Sequence, residues 1–265
     1  MVTEADFLFP DWDRPVAVRA AVSLRTGGVS SAPFASFNLG DHVGDSPERV
    51  ARNRAQLQDG LALPGAPRWL HQVHGAHIVD ASVTPARQWS PAEADGAVCT
   101  GPGIVLAILS ADCLPVLACS RDGRRIGAFH AGWRGLLAGV LERGIAAMGV
   151  AAREILVYLG PAIGPQRYVV GAEVRAAFLA QDPGAGAFFR AVEDMPAADA
   201  RAVPDKGRFL ADLPGLARHR LRALGVTSVT PSGLCTATDA ARFFSHRRDG
   251  QTGRMASLIW REVGT

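Results

Sequence analysis

The stretch "PVLACSRDGRRIGAFHAG", residues 115–132, decides how this chain folds. Two apolar runs flank the pair Asp122-Gly123, which is a strong signal for a tight turn between antiparallel strands. The stretch therefore predicts a β-hairpin whose two arms lie in the hydrophobic core. The glycines that follow, in "HAGWRG", indicate a backbone that passes close to a ligand.

The segments on both sides of the hairpin carry strand and helix patterns. A short, apolar, β-branched run just before it predicts a buried strand. Ser46 and Pro47 are typical of a helix start, while Asp212 and Gly225 bracket another helix. Strands that occur both in hairpins and around helices predict a mixed sheet and an α+β or α/β class. The predicted strands are 16–28, 103–110, 154–165 and 252–262, and the predicted helices are 46–61, 136–149 and 212–224.

The chain has 265 residues, a length that suits one large domain or two small ones at about 150 residues per domain. No repeat, low-complexity segment or long Ser/Gly/Pro linker divides it. The stretch 181–207 is rich in Ala, Gly, Asp and Pro, and we interpret it as a long surface excursion and not as a domain boundary. A single domain over residues 1–265 is therefore expected.

Composition and charge argue against several classes of protein. The net charge is only +3 and the arginines are spread along the chain, so nucleic-acid binding is not expected. The longest apolar run is far short of the ~20 residues that a membrane span needs. The acidic N-terminus lacks the pattern of a signal peptide, so we expect a cytoplasmic protein. Four scattered cysteines show no disulfide framework.

The hairpin suggests a chemical site at one of its ends. Cys113 lies where two apolar runs join, and His130 lies near the end of the second arm, so the hairpin folds them toward each other. The run "HQVHGAH", residues 71–77, can supply another histidine. Its three histidines would not all point the same way on a strand, so we expect one of them to bind.

One cysteine with histidines suits two chemistries. Thiolate and imidazole ligands favour zinc or copper, and three protein ligands with an open position are typical of a catalytic zinc site. The alternative is a nucleophile, in which His130 takes the proton of Cys113 and the thiolate attacks an acyl or amide carbon. The remaining cysteines, Cys99, Cys119 and Cys235, are interpreted as core residues. His71 and His77 are interpreted as residues at the surface or behind the ligands, without contact to the metal.

Ordered blocks along the chain resemble one bacterial protein family. They run from about residue 20 to about residue 260 and include "SLRTGGVS", "FNLGDHVGD", "WLHQVHG", "ADGAV", "LSADCLPVL", "HAGWRG", "GPAIGP" and "CTATDAARFFSHRRDGQTGRMASLI". Several blocks are long and chemically unusual. The sequence is similar to the family of multicopper polyphenol oxidases or laccase-domain proteins, also described as the purine nucleoside phosphorylase/peptidoglycan editing factor family.

The resemblance implies a zinc-type site made by the histidine of "QVHG", the cysteine of "ADCLP" and the histidine of "HAGW", which are His74, Cys113 and His130 in this chain. These residues would be both the metal ligands and the catalytic residues. Zinc is the expected metal and copper is the alternative. The implied fold has four layers, α/β/β/α, with mixed sheets, and is similar to that of a toxin deamidase with a Cys–His pair.

The implied activity is phosphorolysis of purine nucleosides, in which adenosine or inosine and phosphate give the base and ribose 1-phosphate. Adenosine deamination and 5′-methylthioadenosine phosphorolysis are the implied side activities. The expected partners are thus a purine nucleoside and phosphate, and neither a nucleic acid nor a membrane. Asp112, next to the cysteine, is expected to orient a ligand or relay a proton. The chemistry needs an anion clamp and a polar lining, for which the candidates are Arg25, Asn38, Arg134, Arg247 and Arg248.

One loop, "GPAIGPQRYVVGAEV", departs from the family pattern. It carries Gln166 and Val169 where many members have cysteine or arginine and then glutamate. The missing glutamate at position 169 argues against a role of this loop in substrate selection and leaves the three expected metal ligands intact.

Three other functions compete with phosphorolysis. The first is a Cys113–His130 hydrolase or amidase that removes a wrongly incorporated serine from a peptidoglycan precursor. The second is a copper-dependent polyphenol oxidase, which we disfavour because the chain has only seven histidines and no HxH pair for several coppers. The third is a non-catalytic module that binds a partner near the cell-wall machinery.

Overall fold

A computed structural model describes residues 2–192 and 207–263 of the chain. The strands are β1 (Phe7–Leu8), β2 (Val18–Ser23), β3 (Pro67–Arg68), β4 (Leu70–His71), β5 (Ile78–Asp80), β6 (Ala92–Glu93), β7 (Gly96–Cys99), β8 (Val105–Ser110), β9 (Leu114–Ser120), β10 (Ile126–Ala131), β11 (Ile155–Leu159), β12 (Val169–Gly171), β13 (Phe189–Ala191), β14 (Arg208–Ala211), β15 (Ser228–Pro231) and β16 (Met255–Arg261). The helices are α1 (Pro47–Gly60), α2 (Trp133–Leu137), α3 (Val140–Ala147), α4 (Ala172–Gln181), α5 (Leu213–Ala223) and α6 (His246–Asp249).

The predicted hairpin is present and forms the centre of the larger sheet. Strands β9 and β10 pair antiparallel, with Ala131 opposite Leu114 and His130 opposite Pro115. Gly123 has a φ of +70°, in the left-handed region that favours glycine, which explains its place in the turn. Since Cys113 directly precedes β9, the pairing brings it to the end of the hairpin where His130 lies.

Two mixed sheets face each other. The first has the strand order β1-β2-β16-β8-β3, and the second has the order β15-β11-β9-β10-β7-β5. Each contains parallel pairs beside antiparallel ones: β3 with β8 in the first, β5 with β7 and β11 with β15 in the second. Near its end the chain returns as β16 to the middle of the first sheet, between β2 and β8. The α+β class predicted from the sequence is confirmed.

Alternation of side chains along each central strand creates four layers. Leu106 and Ile108 of β8 pack against Leu117 and Cys119 of β9 in the layer between the sheets. The neighbouring β8 residues point the other way, into a cluster that includes Leu57 of α1. The outer face of the second sheet packs against helices α2 to α5. The order is thus helix, sheet, sheet, helix, because successive residues of a strand point to opposite faces.

The helix signals lie where the sequence predicts them. Ser46 accepts a hydrogen bond from the backbone N–H of Arg49 at the start of α1, and Asp212 accepts one from Gly215 at the start of α5. The helix predicted over 136–149 is wrong in its bounds. The chain forms α2 and α3 instead, because Gly139 has a φ of +86° and interrupts the helical path between them.

The excursion predicted over 181–207 has more structure than expected. A 3-10 turn covers Pro183–Phe188, and β13 pairs antiparallel with β14 in a small three-stranded sheet that also includes β12. Residues 193–206 lie outside the described residues. No helix within the described ranges is both long and apolar enough to cross a membrane.

Candidate metal centre and active site

Three separate elements bring His74, Cys113 and His130 together. His74 lies in the loop between β4 and β5, Cys113 in the link from β8 to β9, and His130 near the end of β10. One nitrogen of each ring and the Cys113 Sγ lie within 4.8 Å of one another. The two imidazole rings are in edge-to-face contact, with centroids 4.8 Å apart. The histidine of the 71–77 run that reaches the cluster is thus His74.

The link that carries Cys113 is where the chain passes from one central sheet to the other. Strand β8 belongs to the first sheet and β9 to the second. Asp112, in this link, has a φ of +91°, which turns the backbone sharply. The side chain of Gln72 fixes the neighbouring loop, because its amide exchanges two hydrogen bonds of 2.8 Å with the backbone of Leu109.

Gly132 leaves the space that the cluster needs. A Cβ atom at this position would lie 3.0 Å from the Sγ of Cys113 and 3.2 Å from Cδ2 of His74. Any side chain there would therefore crowd the Cys113 sulfur and the His74 ring. The glycine predicted to mark a close backbone approach is this one.

A buried carboxylate that sequence reasoning did not single out supports the cluster. Asp95 is fully buried, and its Oδ1 lies 2.8 Å from Nδ1 of His130. It also accepts hydrogen bonds from the backbone N–H groups of Val73, His74 and Gly75. The available signal was the "ADGAV" block, where one acid precedes a short apolar strand.

The charged forms of Cys113 and His130 stabilise each other. Burial disfavours a thiolate, but the charge of His130 and the hydrogen bonds from His130 and His74 outweigh it and lower the pKa of Cys113 to about 6. Burial likewise disfavours the His130 cation, but the Cys113 thiolate and the Asp95 carboxylate raise the pKa of His130 to about 9. In the metal-free protein, both shifts favour a thiolate on Cys113 and a protonated His130.

The residues present fit a zinc-type ion. A thiolate with two imidazoles is a borderline-soft donor set that suits zinc or copper. A carboxylate that holds the second ring nitrogen of a ligand histidine is the usual support of such a site. Within residues 2–192 and 207–263, no second group of His, Cys, Asp or Glu has comparable spacing.

A cavity of about 440 Å³ opens onto the cluster. This volume lies in the range of small-molecule sites, roughly 300–1,000 Å³. Its lining includes the three ligands, Asp112, and the predicted clamp residues Arg134 and Arg247. Sequence reasoning missed several residues of the lining, among them His42, Gln72, Trp133, Tyr168, His246 and Arg254.

Comparison with known proteins identifies the family. The family model described as multi-copper polyphenol oxidoreductase laccase matches residues 19–262. The chain belongs to this laccase family. A Pseudomonas aeruginosa relative named purine nucleoside phosphorylase is 49% identical over 254 residues, which is 96% of this chain and 98% of that protein. The Escherichia coli protein named purine nucleoside phosphorylase YfiH is 44% identical over 253 residues, again 96% of this chain and 98% of that protein.

Solved structures of the laccase family share the fold. Neisseria meningitidis protein NMB0706 is similar with a TM-score of 0.88 and 42% identity, over 97% of this chain and 100% of that chain. YlmD from Geobacillus stearothermophilus is similar with a TM-score of 0.82 and 32% identity, over 94% of this chain and 93% of that chain. The mixed α+β architecture is therefore that of the family.

Two of the predicted clamp arginines lie at the cavity of this laccase-family chain. The guanidinium of Arg134 lies over the Trp133 ring, 4.5 Å from its centroid. The guanidinium of Arg247 lies 5.3 Å from the centroid of Tyr168, and its Nη1 donates to the carbonyl of Val169 at 2.7 Å. An aromatic face under each guanidinium restricts its motion while its remaining N–H groups stay available.

The other three predicted substrate residues lie outside the cavity lining, and their role in binding substrate stays a prediction. Arg25 donates to the backbone carbonyls of Ala35 and Ala240. Asn38 is fully buried and holds Asp45 and several backbone groups. Arg248 donates to the backbone carbonyls of Thr236 and Phe243. All three brace loops, a role that sequence spacing does not distinguish from ligand binding.

Asp112 lines the cavity but orients none of the three ligands through its carboxylate. Its Oδ1 accepts from the hydroxyl of Thr236 and its Oδ2 from the backbone N–H of Arg247, each at 2.6 Å. Asp112 thus fixes the start of the segment that carries Arg247, and its expected role in orienting a ligand or relaying a proton stays a prediction.

Proposed function

We propose that this chain is a metal-dependent purine nucleoside phosphorylase, which converts adenosine or inosine and phosphate to the free base and ribose 1-phosphate. The names of the Pseudomonas aeruginosa and Escherichia coli relatives support this activity. The observation that carries the proposal is one cavity that joins the His74–Cys113–His130 cluster to two guanidinium groups, those of Arg134 and Arg247.

The arginines supply what the phosphate needs. A phosphate dianion is bound well by guanidinium groups, since their planar N–H groups match its oxygens. Arg247 is held in place from two sides, by Val169 through its side chain and by Asp112 through its backbone. We assign Arg134 and Arg247 to hold phosphate for attack on the ribose carbon that bears the base.

The cluster supplies the ligands for the metal. His74, Cys113 and His130 would hold a zinc ion, with copper as the alternative. When bound, the ion provides a Lewis acid beside the nucleoside. Beside the protein the effective dielectric constant is lower than in bulk water, which strengthens the electrostatic contacts of the arginines with phosphate. Adenosine deamination and 5′-methylthioadenosine phosphorolysis belong to the same proposal as side activities.

The experiment compares the wild-type protein, Cys113→Ala and the matched control Cys235→Ala, a cysteine outside this cavity lining. Each is assayed for metal by elemental analysis, and for conversion of adenosine to adenine with and without phosphate. We expect about one zinc per chain and phosphate-dependent adenine release for the wild type and the control, and loss of both for Cys113→Ala. Adenine release that does not depend on phosphate would overturn the proposal.

A Cys–His hydrolase or amidase is the second candidate function. Asp95 holds His130, and His130 pairs with a Cys113 thiol of lowered pKa, which is the order of orienting group, base and nucleophile in cysteine hydrolases. The expected substrate is an amide, such as a peptidoglycan precursor with a wrongly incorporated serine. Full amide cleavage by chelator-treated protein, blocked by a thiol-alkylating reagent, would favour this function over phosphorolysis.

A multicopper oxidase has less support. The part of the chain that the structure describes holds one His/Cys/His cluster, which accommodates a single ion and not several coppers. Oxidation of phenols at that one ion, after copper loading, would be an incidental activity.

A further inference from the structure

The carboxylate of Asp95 contacts both histidine ligands at once. Its Oδ1 accepts from the backbone N–H of His74 at 2.9 Å and lies 2.8 Å from Nδ1 of His130. Its Oδ2 accepts from the backbone N–H groups of Gly75 at 2.6 Å and Val73 at 3.2 Å. All four partners are nitrogen atoms, and the three backbone groups can only donate.

The backbone of Asp95 adds two more connections. Its N–H donates to the carbonyl of His77 at 3.0 Å, and its carbonyl accepts from the N–H of His130 at 2.7 Å. Residue 95 therefore ties the loop that carries His74 to strand β10 through its side chain and through its main chain. The imidazole rings of His74 and His130 also touch edge to face across the same two elements, with centroids 4.8 Å apart.

We infer that Asp95 is a positioning residue that mounts both histidine ligands on one buried carboxylate, and that it assigns Nε2 of His130 to the metal. This inference rests on the proposed metal site. An ionised carboxylate only accepts hydrogen bonds, so Nδ1 of His130 must carry a proton. The lone pair that can bind a metal is then on Nε2, the nitrogen on the side of Cys113 and His74.

The position of His74 depends on the same carboxylate. His74 has a φ of +61°, a left-handed conformation that costs a non-glycine residue free energy. Three successive N–H groups, those of residues 73 to 75, converge on Asp95 in this conformation, in the manner of an anion-binding nest. Without the negative charge, nothing offsets the strain, and the loop is free to relax and carry the imidazole away.

An asparagine cannot replace this aspartate. The side-chain amide has one oxygen and one NH₂ group, and the NH₂ group would face N–H donors in a site with no exposure to water. Asp182 provides a matched control, because its Oδ2 lies 2.6 Å from Nε2 of His219 and its Oδ1 accepts from a backbone N–H, far along the chain from the cluster.

The experiment measures zinc affinity by chelator competition for wild type, Asp95→Asn and Asp182→Asn, with the melting temperature of each metal-free protein as the test of folding. We expect Asp95→Asn to bind zinc about 10- to 100-fold more weakly and Asp182→Asn to bind as the wild type does. Equal affinity in folded Asp95→Asn protein would overturn the inference.

A second measurement does not depend on the variant folding. A long-range ¹H–¹⁵N NMR spectrum of zinc-loaded wild type should show His130 protonated at Nδ1 and bound to zinc through Nε2. Coordination through Nδ1 would overturn the inference. If the wild type binds no zinc, the proposed function fails. The same spectrum of metal-free Cys113→Ala, recorded at a pH high enough to leave His130 neutral, then tests the assignment separately, since the ring should carry its proton on Nδ1.

Discussion

At the scale of single residues, the environment separates cysteines that look alike in the sequence. Cys99 and Cys119 lie in the layer between the sheets, and burial raises the pKa of each thiol to about 12. Cys113 is partly exposed in the cavity, where the charge and hydrogen bond of His130 and the hydrogen bond from His74 outweigh burial and lower its pKa to about 6. The end of the hairpin thus gives Cys113 surroundings that favour the thiolate.

The first prediction concerns alkylation of the metal-free protein. Because its pKa is lowered, Cys113 is a thiolate above about pH 6, so its reaction with iodoacetamide should stay fast at pH 7 and slow as the pH falls through 6. Cys99 and Cys119 should not react in the folded protein. Peptide mass spectrometry gives the rates, and added zinc should protect Cys113. Equal modification of all three cysteines at pH 7 would contradict the assigned environments.

The second prediction concerns Gly132. The Gly132→Ala substitution should lower zinc affinity at least tenfold, because its Cβ would lie 3.0 Å from the Cys113 Sγ. The fold should persist, since Gly132 has a φ of −70° that alanine adopts easily. Gly186→Ala is the control, because its Cβ would meet only the flexible end of Leu179. Zinc titration with a competing indicator measures both variants, and wild-type affinity in Gly132→Ala would show that the space is not needed.

At the scale of elements, local signals set where each helix and turn begins and ends, while the site depends on how the elements meet. Turn and cap residues such as Gly123 and Asp212 act within a few residues of their own position. The predicted helix 136–149 is divided at Gly139. In the sequence, a glycine at this position fits either a break between two helices or a tolerated residue inside one helix. Only its left-handed φ of +86° shows the break. This ambiguity caused the wrong bounds.

The third prediction tests one such signal. Asp212→Ala removes the acceptor of the Gly215 N–H at the start of α5 and should lower the free energy of unfolding by about 0.5–2 kcal/mol. Zinc content should not change, because α5 packs on the face of the second sheet away from the sheet-to-sheet layer. Urea unfolding followed by circular dichroism measures the change. Asp212→Asn retains an acceptor and should recover most of the loss.

At the scale of the whole molecule, the site lies where the chain crosses from one sheet to the other. Cys113 is in that crossing, His74 lies in the loop between β4 and β5, and His130 lies near the end of β10. The two sheets are held together by an apolar layer that includes Ile108, Leu117 and Ile259. This layer holds together the two strands, β8 and β9, that the link with Cys113 connects.

The fourth prediction concerns that layer. Leu117→Ala should lower the free energy of unfolding by about 2–5 kcal/mol, because it removes a fully buried side chain and leaves a cavity. Val16→Ala, at a residue with 80% exposure, should change the free energy of unfolding by less than about 0.5 kcal/mol.

Zinc added before melting should raise the melting temperature of both variants, because zinc binds the folded state. A zinc indicator measures binding, and calorimetry measures the melting temperature. If zinc raised the melting temperature of neither variant, a zinc site that forms only in the folded chain would be contradicted.

The sequence by itself determined the hairpin, the helix starts, the α+β class and the three residues that meet at the cluster. Periodicity, turn pairs and caps depend on neighbours a few residues apart, and the family blocks mark the three cluster residues. Only the tertiary structure decided that Asp95 joins the histidines, that Arg134 and Arg247 reach the cavity, and that Arg25, Asn38 and Arg248 brace loops. A guanidinium forms the same bonds with a carbonyl or a phosphate, so its role depends on which acceptor the packing of the sheets brings within reach.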